Sequence, residues 1–146
     1  MQILRVLTLA AVAAFASPQR VSGPETVAVR GIVDGDTIDV TIYGRIRLAG
    51  IKAPRLGRNG IDGEPFGTRA RDRLDGLLAH RFVRVEFPST SHSAAYVLLD
   101  DGTFVNALLA SEGLARVARA AGPRADELRR AEERARAARL GIWSAP

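Results

Sequence analysis

The chemistry open to this chain is bounded first by which side chains it has. There is no cysteine, so a disulfide framework, a thiolate metal site and a cysteine nucleophile are all excluded. The two histidines, His80 and His92, are too few for a multi-histidine zinc centre. Ser91-His92-Ser93 sets a hydroxyl beside an imidazole, but adjacency in sequence does not build a triad, and no orienting acid is nearby. The basic residues are more informative. The chain carries 21 of them against 16 acids, a net charge of +5, and every one except Lys52 is arginine. Arginine presents a planar fork suited to phosphate or carboxylate, so an anionic partner is the expectation, alongside a compositional bias toward arginine codons. The basic residues crowd one stretch, with Arg30, Arg45, Arg47, Lys52, Arg55 and Arg58 set against only Asp34, Asp36 and Asp39.

These side chains need elements to hold them. Thr26–Ile32 alternates β-branched and other residues as a strand does. Asp34-Gly35-Asp36 reads as a turn, with the glycine expected at positive φ. Thr37–Ile42 is a second strand, and Arg45–Ala49 a third, with Ile46 and Leu48 facing one way and Arg45 and Arg47 the other. Ile51–Gly67, with two prolines and four glycines, reads as a long loop, and loops of that length are often functional. A helix over Phe66–Ala79 follows, with Ala70, Leu74, Leu77 and Leu78 as its apolar stripe. Phe82–Phe87 and Ala94–Leu99 are strands four and five, and Asp101-Gly102 is a tight turn. Val105–Glu112 is a short helix ending at Gly113. Pro123–Leu140 is the longest helix, with Leu128, Ala131, Ala135 and Ala138 on one side and a Glu132–Arg136 pair on the other. Its interleaved acids mark a solvated face more than a nucleic-acid grip. Ile142-Trp143 is expected to fold back on the core. The class is α+β, mainly β: a five-stranded barrel of the oligonucleotide-binding (OB) type with three helices.

The N-terminal segment is different. Met1–Ala16 has a positive residue, Arg5, an apolar run from Val6 to Phe15 and an Ala-x-Ala ending, the pattern of a secretory signal peptide cut after Ala16. Its run of about ten apolar residues is short for a permanent span of the bilayer. Residues 17–25 read as a linker, and 26–146 as the folded domain. This predicts a secreted or periplasmic protein with no transmembrane segment once the leader is removed.

In chain order, Val33-Asp34-Gly35-Asp36-Thr37, Arg47-Leu48-Ala49-Gly50-Ile51 with Ala53-Pro54, Gly63-Glu64-Pro65-Phe66-Gly67, Asp101-Gly102 with Val105-Asn106, Gly113-Leu114-Ala115 and Gly141-Ile142-Trp143 resemble the staphylococcal nuclease (thermonuclease) family. The resemblance runs from about Val27 to Trp143. It implies the same barrel with three helices, and a family activity of calcium-dependent cleavage of DNA and RNA phosphodiesters. The family's chemistry uses two aspartates on the calcium, a glutamate for the attacking water and two arginines on the phosphate. Asp36 matches the first aspartate and Arg47 the first arginine. The second aspartate is replaced by Lys52 and the glutamate by Arg55, while His92 falls near the second arginine. The family's base-stacking tyrosines fall at Arg119 and Ala121.

Two charge reversals at that site carry a large penalty. Unit charges about 4 Å apart interact by roughly 4 kcal/mol at an effective dielectric near 20, so exchanging a carboxylate for an ammonium beside a divalent ion costs orders of magnitude in affinity. Arg55 stays protonated and cannot act as a base. The expectation is therefore an exported nuclease-fold protein whose hydrolysis is lost and which has no cofactor. Asp36 remains as a metal remnant, with Lys52 paired to it in the metal's place, and Arg47, Lys52 and Arg55 are the anion-binding candidates. Its partner would be a nucleic acid or other polyanion held weakly, or another protein. The alternative is an active secreted nuclease in which Asp34 or Asp39 substitutes as a ligand.

Overall fold

A computed structural model of the chain describes residues 24–88 and 92–144. Strand β1 (Glu25–Asp34) turns Val27 and Val29 inward. Its register with β2 (Thr37–Val40) slips between Val29 and Gly31 and again between Ile32 and Asp34. Such bulges bend a strand, which lets β1 pair with β5 (Phe82–Glu86) at its start and with β2 along the rest. Strand β3 (Gly44–Leu48) follows β2 antiparallel, then meets β6 (Ala94–Leu98) in parallel. The five close into a barrel in the order β1-β2-β3-β6-β5. Alternate residues, among them Ile38, Val40, Ile46, Leu48, Val85 and Val97, fill it.

Helix α1 (Gly67–Leu78) buries Ala70, Leu74 and Leu78, one residue per turn. Helix α2 (Val105–Ser111) packs against β6 and α3 (Ala125–Ala137), whose Leu128, Ala131 and Ala135 are buried. The expected OB-type barrel with three helices is thus the observed architecture. One buried side chain ties it to the site. Asn106 on α2 accepts from the Val97 amide and donates to the Ala49 and Ala95 carbonyls, locking β3 to β6 behind Arg47.

The structure corrects the sequence reading in several places. Segment 51–67 is not all loop. It begins with strand β4 (Ile51–Lys52), which pairs antiparallel with β7 (Arg116–Val117), a contact too distant in sequence for local pattern to reveal. Strand β2 stops at Val40, since Ile42 adopts φ 71° to turn the chain. The last helix is shorter than expected: a 3-10 turn over Gly122–Arg124 precedes it, it ends at Ala137, and Ala138 is exposed. Gly35 is not among the glycines at positive φ. A Cβ there would come within 2.8 Å of both Ala53 and Ala70, so close approach is what requires glycine. Glu25 belongs to β1, paired with Val85, and not to the linker. The proposed leader and the linker residues before 24 lie outside the described residues. Among the described residues, no helix is long and apolar enough to cross a membrane.

Candidate anion-binding site

The β1–β2 turn brings Asp36 to the barrel rim, beside the end of β3 and the start of the segment after β4. Its carboxylate is buried and engaged on several sides. Oδ2 accepts a 2.8 Å hydrogen bond from the Ala53 amide, and Oδ1 accepts one of 2.9 Å from the Thr37 hydroxyl. The Arg47 guanidinium stands 3.5 Å from Oδ2, with the acid side chain 8% exposed and the arginine 60%. Arg47 is positioned by backbone pairing on both sides: its Cα partners are Thr37 and Ala94, and its amide donates to the Ser93 carbonyl. The guanidinium is therefore rooted in the barrel and open to solvent, a sound geometry for holding an external anion.

The neighbouring acids are already engaged. Asp39 pairs with Arg30 at 2.9 Å. Asp34 accepts from the Gly35 amide and lies 3.8 Å from Arg58, whose guanidinium also donates to the Val33 carbonyl at 2.7 Å. Each candidate substitute ligand is thus neutralised by an arginine. Among the described residues there is no group of three or more His, Cys, Asp or Glu side chains able to hold a metal. Calcium asks for about six to eight oxygen ligands, with carboxylates prominent. The cradle offers one carboxylate, already facing a guanidinium, with lysine and arginine at the two positions where acids would complete it. The residues present do not fit a divalent cation.

Lys52 is exposed on β4, between buried Ile51 and buried Ala53. No ion pair joins it to Asp36 among the described residues, which corrects the expected Lys52–Asp36 pair; Arg47 takes that place. Lys52 belongs instead to the β4–β7 ribbon. There Lys52 stands directly across from Arg116. Arg55 is also exposed. Its amide donates to the Glu64 carboxylate at 2.6 Å, and the Glu64 amide returns a bond to the Arg55 carbonyl at 2.8 Å. That double tie folds segment 53–66 onto itself, leaving the Arg55 guanidinium at the surface.

His92 is placed in an aromatic cluster, with ring centroids 4.7 Å from Phe87 and 5.2 Å from Tyr43. The structure groups it with those rings and not with the Asp36–Arg47 pair. Ser91 lies outside the described residues. Arg119 is exposed, and Ala121 is buried with its carbonyl accepting from the Tyr96 hydroxyl at 2.6 Å, so neither presents a base-stacking ring. Sequence reasoning missed Arg116 and gave Trp143 no partners. Their groups meet, with the Arg116 and Arg136 guanidinium carbons 4.4 and 4.1 Å from the Trp143 ring centroid. No local sequence signal points to this meeting, since Arg116 lies far from Arg136 and Trp143 in the chain.

Comparison with known proteins gives a consistent picture. Residues 45–145 match the family model described as staphylococcal nuclease homologue. The chain is 36% identical to a micrococcal nuclease of Shigella flexneri, covering 86% of this chain and 80% of that one. It is 34% identical to protein ParB of Escherichia coli, over 86% of this chain and 78% of the relative. It is also 33% identical to the SPbeta prophage-derived endonuclease YokF of Bacillus subtilis (strain 168), over 77% of this chain and 42% of that protein.

Proposed function

Starting from the fact that this chain belongs to the staphylococcal nuclease family, we propose that it binds phosphodiester anions at the Arg47 rim without cutting them. The observation that carries this reading is the state of Asp36: its carboxylate faces Arg47 instead of a second acid, with Lys52 and Arg55 at the positions where the family pattern has carboxylates. A water attacking phosphorus needs a base and an electrophilic ion, and neither is offered by these side chains. What is left suits binding. Arg47 offers a fork of donors on a rigid strand, and Arg55 adds a second cation on the neighbouring segment. A polyanion such as a nucleic-acid backbone is the matching ligand class, held mainly by charge and so sensitive to salt.

A second reading is favoured by the relatives, two of which are named nucleases: an active secreted endonuclease. One assay separates the two. Pure protein is incubated with plasmid with and without calcium, and oligonucleotide binding is followed by anisotropy at low salt. The proposal expects intact plasmid, and binding that is indifferent to calcium and weakened in Arg47→Ala. Calcium-dependent digestion, abolished in Asp36→Ala, overturns it.

The segment 1–16 supports export as part of the same reading. Expression of the full chain in a bacterial host is expected to yield a product beginning at Ser17 outside the cytoplasm. An intact leader on cytoplasmic protein, read from the intact mass, removes that part.

A further inference from the structure

At β4 lies a cleft of about 340 Å³ lined by Lys52, Pro54, Glu64, Phe66, Arg116 and Ile142, among others. Its most unusual feature is the pair Lys52 and Arg116, Cα partners across the β4–β7 ribbon. Like charges directly opposite on one face of a ribbon sit about 5 Å apart at Cβ and destabilise it. Neither residue has an ion pair among the described residues, and both are exposed. The family pattern places an aspartate where Lys52 stands. An acid there would stand across the ribbon from Arg116 with the opposite charge; the lysine instead leaves two cations on paired positions.

The rest of the cleft is built to hold more than a bare ion. Phe66 is half-buried at its wall, fixed by a backbone in the left-handed region (φ 70°) at the start of α1. A bulky residue rarely adopts that conformation, so the surrounding fold determines its position. Ile142 supplies a second apolar wall. Arg116 is steadied by its stacking on Trp143, with the guanidinium carbon 4.4 Å from the ring centroid. Glu64 is the one acid in the lining, and its Oε2 is occupied by the Arg55 amide.

We infer that this cleft is a subsite for a nucleotide bearing a terminal phosphate. The dianionic phosphate lies between Lys52 and Arg116, and the base packs against Phe66. Two cations match the roughly −2 charge of a phosphate monoester better than the single charge of a diester. The size lies at the lower end of small-ligand pockets, about 300–1,000 Å³, and suits one nucleotide. Lys52 and Ala53 are consecutive and both line the cleft, and the Ala53 amide bonds Asp36, so the cleft and the Arg47 rim share one short stretch of chain. A phosphorylated end in the cleft would lie next to a backbone held at the rim. This inference deepens the phosphodiester-binding reading and rests on it.

Trp143 is the chain's one tryptophan and lies against Arg116, so its emission reports on the cleft. The full chain is titrated with adenosine 5′-monophosphate, with adenosine and inorganic phosphate as comparators. A saturable change in emission is expected with the nucleotide, at a concentration at least about tenfold lower than with either comparator. In Lys52→Glu the nucleotide affinity is expected to fall at least about tenfold. That substitution sets an acid opposite Arg116, a favourable cross-strand pair, so the fold is retained, as circular dichroism checks. Phe66→Leu is expected to erase the preference for nucleotide over inorganic phosphate. The inference is overturned by no saturable change, by equal response to nucleotide and inorganic phosphate, or by unchanged affinity in Lys52→Glu. Loss of oligonucleotide binding with the nucleotide titration intact points instead to failure of the rim reading alone.

Discussion

Asp36 and Arg47 stand 3.5 Å apart, the acid sunk at the barrel rim and the arginine open to solvent. The pair is an internal lock on the residue that the proposed function puts on the phosphate. Because Arg47 is largely exposed, water screens the attraction, and the pair contributes at most about 1 kcal/mol.

Asp36→Asn follows from this. It keeps the shape and most of the hydrogen bonding while removing the charge that competes for Arg47. Oligonucleotide binding at low salt, read by anisotropy, is expected to tighten about two- to fivefold, the equivalent of that small pair energy. In a site that works through a metal the same change would weaken binding, so the sign is the test.

On the proposed reading, the two charge reversals are sufficient to remove calcium binding. In the double variant Lys52→Asp/Arg55→Glu, carboxylates return to the two positions where the family pattern has them. Calorimetry is expected to show calcium binding at least about 100-fold tighter than in the natural chain, since several kcal/mol of repulsion become attraction. Plasmid digestion by the double variant, and not by the natural chain, is the expected accompaniment. An unchanged calcium response in the variant would show that the cradle has lost its shape as well as its charge.

Asn106 is expected to matter more for stability than for binding. Its side chain makes three hydrogen bonds in a fully buried setting. Asn106→Leu leaves the Val97 amide and two carbonyls without that partner, at about 1–3 kcal/mol for each group left unsatisfied. Urea unfolding is expected to show a loss of at least about 2 kcal/mol, with the denaturant slope unchanged. A loss under about 0.5 kcal/mol would mean the β3–β6 junction does not depend on this side chain.

Tyr43 adds a pH-dependent contribution to stability on the alkaline side. Its hydroxyl donates to Glu25, and that bond, followed by burial and by the negative charge of Glu25, raises its pKa above the ordinary tyrosine value. The folded state thus holds the proton more tightly than the unfolded chain. The stabilisation is full below a pH of about 10, the unfolded value, and is lost as pH rises through the higher folded value. Tyrosinate absorbance is expected to show one tyrosine ionising late, and Tyr43→Phe is expected to flatten the alkaline fall in stability. A Tyr43 that ionises with free tyrosine would remove the prediction.

Much of this protein was legible in its residues alone. Alternation at Ile38, Val40, Ile46 and Leu48, and the apolar stripes at Ala70, Leu74 and Leu78 and at Leu128, Ala131 and Ala135, identify the barrel strands and helices, because burial of one face imposes its period locally. The chemical identities at Asp36, Arg47, Lys52 and Arg55 likewise need no structure to show that charge has been reversed. Tertiary structure decided who faces whom. Arg47 and not Lys52 meets Asp36, Arg58 and Arg30 take up Asp34 and Asp39, and Lys52 finds itself across from Arg116. Those relations depend on which charged groups the closed barrel brings within reach, and on pairing between segments far apart in the chain. No local pattern encodes either, since both are set by how the whole barrel closes.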